Sequence, residues 1–106
     1  MLRDLTSSGF DAARKGVVLS GRAERREVTV VVDRDAIESS FPKIGSALQC
    51  VAFVERNLVP FRDMANAKLR AGQSVTVPKS HDRPHGDLLV ELTATDLLRS
   101  RRWMTP

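Results

Sequence analysis

Cysteine and aromatic residues are scarce in this chain of 106 residues. It has one cysteine, Cys50, one tryptophan and no tyrosine, and aromatic residues make up 5% of the sequence. A single cysteine excludes an intramolecular disulfide, and its place in an apolar helical stretch predicts a buried, inert thiol. The small number of aromatic side chains leaves little material for stacking on nucleic-acid bases.

Long apolar runs are also lacking. No stretch approaches the ~20 residues that a membrane-spanning helix needs, and the first residues form no apolar signal core. We therefore expect a cytoplasmic location and no membrane partner.

No motif for catalysis or cofactor binding is visible. The chain has no glycine-rich phosphate loop, no Ser-His-Asp pattern and no Cys-His spacing, so we expect a non-enzymatic protein without a cofactor. His81, Asp82, His85 and Asp87 are the one group that resembles metal ligands. Pro84 argues against a helix that would align the two histidines, and a closed zinc site needs more strong ligands than these two. A polar loop without metal is the favoured interpretation.

Asp33, Asp35 and Glu38 form an acidic group that could supply paired carboxylates for acid–base catalysis. They fall where a helix is predicted to begin. Acidic residues at that point cap the helix and interact favourably with its dipole. Capping is therefore the favoured interpretation.

The length and composition of the chain are those of one domain. Apolar residues make up 42% and charged residues 28% of its 106 residues, as in ordinary globular domains. We predict a flexible lead-in over residues 1–9, a single domain over 10–98 and a basic, frayed tail over 99–106.

Four segments have the composition and alternation of β-strands. They are residues 17–19, 27–32, 73–77 and 88–92. The first two are joined by a charged segment without Asn-Gly or Asp-Gly, which predicts a β-hairpin with a longer or bulged connection.

Two helices are predicted between the second and third strands. A short helix follows Asp33 and ends at Phe41, because Pro42 disfavours helical geometry there. A long helix runs from residue 45 or 46 to residue 70 and is kinked or split at Pro60. The predicted fold is α+β, in the order β-β-α-α-β-β, with an antiparallel sheet of about four strands covered on one face by the long, Pro-kinked helix.

The order of these segments resembles that of a known family. The matching stretches are residues 10–14, 17–19, Gly21, 27–32, 53–58, 65–69 and 95–98. In this order and spacing they resemble the small bacterial domain-of-unknown-function family number 1488, and the resemblance covers residues 10–98. It implies a compact α+β domain and carries no catalytic role, because the activity of that family is unknown.

Basic charge is the remaining functional signal. The formal net charge is +4, the isoelectric point is near 10.0, and arginine supplies 13 of the 17 basic residues. Two arginine clusters are either solvated surface or phosphate-binding sites. Basic side chains bind phosphate by neutralising its charge and releasing counterions. The two clusters comprise Arg22, Arg25 and Arg26, and then Arg99, Arg101, Arg102 and Trp103.

Two functions are compatible with this sequence. The leading hypothesis is a non-enzymatic domain that acts through protein–protein contact or self-association, in which Trp103 docks on its own chain or on a second copy. The alternative is weak, sequence-tolerant nucleic-acid binding through the two arginine clusters.

Overall fold

A computed structural model describes residues 2–77 and 87–106, and it has the predicted α+β class. In chain order the elements are β1 (Leu2–Asp11), β2 (Gly16–Ala23), β3 (Arg26–Asp33), α1 (Arg34–Ser40), α2 (Ala47–Arg56), α3 (Leu58–Arg70), β4 (Val75–Val77), β5 (Asp87–Leu92), α4 (Ala94–Ser100) and a 3-10 turn (Arg101–Trp103).

The sheet has five strands in the order β1-β2-β3-β5-β4, and it is mixed. β1, β2 and β3 pair antiparallel, β5 pairs parallel with β3, and β4 pairs antiparallel with β5. The prediction of a four-stranded antiparallel sheet in the order β-β-α-α-β-β was therefore wrong. The crossover through three helices and β4 returns the chain to the starting end of β3, so β5 enters the sheet parallel to β3.

The first residues of the chain belong to the sheet, which corrects the expectation of a flexible lead-in over 1–9. Leu2 is buried, and its backbone N–H donates to Asn66 Oδ1 at 2.9 Å. The pairing of β1 with β2 is irregular at two places, and positive φ angles occur at Asp4 (55°) and Gly9 (89°). Such irregularities break the two-residue alternation by which a strand is recognised in a sequence.

The hairpin predicted over 17–32 forms, but its connection is shorter than expected. Ala23 pairs with Arg26, so only Glu24 and Arg25 lie between the strands. Glu24 has a φ of 59°, which supplies the left-handed backbone that Asn or Gly would ordinarily provide. The chain reverses tightly without a recognisable turn sequence.

The predicted long helix is two helices, and the break lies at Asn57 rather than at Pro60. Pro60 stands in the first turn of α3, where a missing N–H is tolerated. In a continuous helix its ring would clash with the carbonyl of Arg56, four residues earlier. Because the clash falls four residues before the proline, α2 ends at Arg56 and α3 begins at Leu58.

The core lies between the sheet and the helices. Val28, Val30 and Val32 alternate along β3 and are at most 1% exposed. α1 packs on β3, α2 on β1 and β2, and α3 on β1 and β5. Phe53 of α2 is fully buried, with its ring centroid 4.7 Å from that of Phe41.

The segment 99–106 is held against the domain, which corrects the expectation of a frayed tail. α4 extends to Ser100 and the 3-10 turn follows it. Met104 is 7% exposed. The backbone N–H of Thr105 donates to Asn57 Oδ1 at 2.6 Å, and its carbonyl accepts from Asn57 Nδ2 at 2.8 Å. The buried methionine and these two bonds offset the loss of chain entropy that a free tail would keep.

Candidate functional site

The two predicted arginine clusters are exposed but lie at opposite ends of the sheet. β3 starts beside the β2–β3 turn, and β5 runs parallel to it toward α4. The first cluster is at the turn and the second follows β5, so the fold does not join them into one surface. The exposed members are Arg22, Arg25 and Arg26 at the turn, and Arg99, Arg101, Arg102 and Trp103 after β5.

A residue missed by the sequence reading completes the turn cluster. Arg25, Arg26 and Arg70 line one cavity of about 950 Å³ between the β2–β3 turn, the last turn of α3 and β4. We call this cavity the turn pocket. None of the three guanidinium groups forms an ion pair within residues 2–77 and 87–106. No local signal marks Arg70, because only the return of α3 along the sheet brings it to the turn.

The second cluster borders a groove between α3 and α4, which we call the tryptophan groove. Its volume is about 890 Å³, and Val59, Pro60, Met64 and Trp103 supply apolar lining. Trp103 is 68% exposed and Val59 is 57% exposed. The guanidinium carbon of Arg102 lies 5.2 Å from the centre of the Trp103 ring system, so this cation covers part of the indole.

An ion pair between Lys68 and Asp96 lines the tryptophan groove. Lys68 Nζ lies 2.8 Å from Asp96 Oδ2 and donates to the carbonyl of Glu91 at 2.7 Å. The backbone N–H and the hydroxyl of Thr93 donate to the same carboxylate. Burial raises the pKa of Asp96, but the hydrogen bonds from Lys68 and Thr93 outweigh it and hold that pKa below its ordinary value. These contacts tie α3 to β5 and α4.

Arg101, a member of the second arginine cluster, contacts an aromatic ring of its own domain. Arg101 places its guanidinium carbon 5.6 Å from the centre of the Phe41 ring, beside a cavity of about 710 Å³. Leu98 lines the same cavity and is 59% exposed. Arg101 is therefore engaged with an aromatic ring at the edge of the core.

The acidic group around α1 has a structural arrangement that differs from simple capping. Asp33 stands at the N-cap, but its side chain makes no capping hydrogen bond, which corrects that expectation. Asp35 lies in the first turn. Glu38 accepts from Arg34 Nε at 2.8 Å, and this bond raises the pKa of Arg34. Glu38 is thus the partner of a neighbouring arginine.

The remaining candidates divide between buried and undescribed residues. Cys50 is fully buried, as predicted, and burial raises the pKa of its thiol. His81, Asp82 and His85 lie outside the described residues, so the metal interpretation of that group stays untested. Over residues 2–77 and 87–106, no group of three His, Cys, Asp or Glu side chains is placed to hold a metal ion. Among the same residues, no helix is long and apolar enough to cross a membrane.

Comparison of the chain with protein-family models finds no match, and comparisons with curated proteins and with solved structures find no similar protein. The resemblance to family number 1488 therefore stays a prediction. What the structure defines is a class: a small α+β domain with a mixed five-stranded sheet, a basic pocket at one end and an exposed tryptophan beside a groove at the other.

Proposed function

We propose that this protein is a non-catalytic domain that acts through protein–protein contact, and that the contact is self-association through the tryptophan groove. The observation that carries the proposal is the 68% exposure of Trp103 beside Val59, which is 57% exposed. Tryptophan is among the residues that most often dominate binding energy at interfaces. Arg102 covers part of the indole, and the exposed remainder is apolar surface that a partner can cover.

The backbone on which Trp103 stands is fixed. Met104 is buried next to it, and Thr105 is bound to Asn57 by two hydrogen bonds. An anchor that is already ordered loses little conformational entropy when a partner covers it. This preorganisation favours the interpretation that Trp103 is a binding residue rather than an exposed side chain without a function.

Charge complementarity favours a second copy of this chain as the partner. Asp63 and Arg99 both line the groove, and Arg99 is exposed. The Asp63 side chain is 66% exposed and has only a long contact, 3.8 Å, with Arg62. In a twofold contact the same surface meets itself, so Asp63 of each copy can face Arg99 of the other. The groove thus contains both the acidic and the basic residue of an ion pair that can form between two copies.

Sedimentation velocity tests this proposal with two variants, one inside the groove and one outside it. We expect the native chain to dimerise at protein concentrations up to about 100 µM. Trp103→Ala removes one hot spot from each copy, about 2 kcal/mol each, so the dimer should dissociate about 1000-fold more readily. Leu48→Ala, at a leucine that is 80% exposed on α2 and does not line the groove, should leave dimerisation unchanged.

Charge reversal identifies the surface. Asp63→Arg and Arg99→Asp should each weaken the dimer, and the two changes combined should restore it. A native chain that stays monomeric throughout this concentration range overturns self-association. If Trp103→Ala does not weaken the dimer, then self-association uses another surface.

Nucleic-acid binding is a second candidate, favoured by the three guanidinium groups at the turn pocket that form no ion pair with the described residues. Fluorescence anisotropy with labelled DNA and RNA at 50 and 200 mM salt tests it. Four phosphates neutralised on duplex DNA predict a log–log salt slope of about −3.6. Changing Arg22, Arg25 and Arg26 together to Glu should abolish binding at the turn, whereas changing Arg99, Arg101 and Arg102 to Glu tests the other end. Absence of binding at 50 mM salt excludes this function.

A further inference from the structure

The turn pocket concentrates positive charge from distant parts of the chain. Arg25 lies in the β2–β3 turn, Arg26 is the first residue of β3, and Arg70 comes from the last turn of α3. Glu24 is the one carboxylate among the described residues that line the cavity, so three guanidinium groups face a single acid. The surplus of cationic hydrogen-bond donors favours an anionic ligand.

A buried amide adds an independent observation. Asn66 lines the pocket and is only 5% exposed. Its Oδ1 accepts the Leu2 backbone N–H at 2.9 Å, which identifies the other end of the side chain as the NH₂ donor. An amide NH₂ at the wall of the cavity can donate a hydrogen bond to an anionic ligand.

The other residues that line the turn pocket include both hydrophobic and polar side chains. Leu69 and Leu88 are half-buried hydrophobic side chains at the edge of the core. Ser74 and Thr76 contribute hydroxyl groups near β4. A volume of about 950 Å³ lies at the upper end of the range typical of small-molecule sites. The cavity therefore has room for a charged head and an apolar or ring-shaped body.

We propose that the turn pocket binds a small phosphorylated ligand of nucleotide size. Arg25, Arg26 and Arg70 hold the phosphate, since guanidinium groups donate in pairs to its oxygens. The Asn66 NH₂ supplies a further donor, and the body of the ligand rests on Leu69 and Leu88. A phosphate offers more acceptor sites and more charge than one carboxylate does, which suits this number of donors.

Isothermal titration with adenosine 5′-monophosphate, adenosine and inorganic phosphate tests the proposal. Adenosine monophosphate and phosphate should bind, and adenosine should bind at least 10-fold more weakly than its monophosphate. Arg70→Ala should weaken the monophosphate about 10- to 100-fold, as expected for one charge-assisted contact. Arg62→Ala removes the same charge from α3 outside the pocket and should have no effect.

Two further variants keep the test independent of folding. Arg25→Ala lies in an exposed turn and should weaken binding by a factor similar to that for Arg70→Ala. Asn66→Asp keeps an acceptor for Leu2 but replaces the NH₂ donor with negative charge, so it should abolish phosphate binding while retaining the native circular dichroism spectrum. If Asn66→Asp unfolds, the Arg25 and Arg70 variants decide the test.

The outcomes separate the possible sources of phosphate. Equal binding of adenosine and its monophosphate, or no binding of either phosphate compound, overturns the proposal. Binding of a single-stranded oligonucleotide without binding of the monophosphate also overturns it and assigns the surface to nucleic acid. Because the tryptophan groove lies at the other end of the sheet, failure here leaves self-association unaffected, and a monomeric protein can still bind phosphate.

Discussion

Replacing Asn57 with alanine should detach residues 105–106 from the domain. Asn57 is 3% exposed and lies at the junction of α2 and α3. Its Nδ2 donates to the carbonyls of Phe53 and Thr105, each at 2.8 Å, and its Oδ1 accepts the Thr105 N–H at 2.6 Å. One side chain thus closes the helix break and holds the segment that carries Trp103.

The magnitude follows from these three hydrogen bonds. At about 1 kcal/mol of net stabilisation each, Asn57→Ala should lower the free energy of unfolding by about 3 kcal/mol. That is a large part of the total of about 5–15 kcal/mol that such a domain has. At about 4 °C per kcal/mol for a chain of this size, the melting temperature should fall by about 12 °C.

Urea and thermal unfolding, followed by circular dichroism, measure the effect in two backgrounds. In a chain that ends at Met104 the two bonds to Thr105 are gone, so Asn57→Ala should cost only about 1 kcal/mol. The coupling between Asn57 and residues 105–106 is then about 2 kcal/mol. Equal costs in the two backgrounds, or a cost below about 1 kcal/mol in the full chain, would refute the assigned role.

Three other predictions test separate features. Because the pKa of Asp96 is lowered in the folded state, its bond to Lys68 stabilises the fold above about pH 4, and this stabilisation is lost as the pH falls through the folded pKa. Asp96→Asn should therefore cost about 1–3 kcal/mol at pH 7 and less at low pH in urea titrations; a pH-independent cost contradicts this. Gly16→Ala would place a Cβ atom 2.5 Å from a carbonyl oxygen of β3 and should cost about 1–3 kcal/mol. In contrast, the Cβ atom of Gly45→Ala meets no atom of the described residues within 4 Å, so this control should be nearly neutral in the same titration. Ser40→Ala should raise the melting temperature, because the buried Ser40 hydroxyl has no hydrogen-bond partner among the described residues and its removal should gain about 1 kcal/mol.

Local pattern was sufficient for the elements whose signals are local. The alternation of Val28, Val30 and Val32 predicted β3, and Pro42 predicted the end of the short helix before it. In each case the residues that decide the structure are neighbours in the chain, so their preferences are readable without the fold.

The sequence by itself therefore determined the α+β class, the central hairpin and the short helix that ends before Pro42. Tertiary structure alone decided the rest. The irregular pairing of β1 hides its strand pattern, and the parallel entry of β5 depends on a long crossover that carries no local signal. Arg70 joins Arg25 at one pocket, and Asn57 reaches Thr105, only because α3 runs back along the sheet. Contacts between distant residues depend on how the whole chain closes its core, and no short stretch of sequence contains that information.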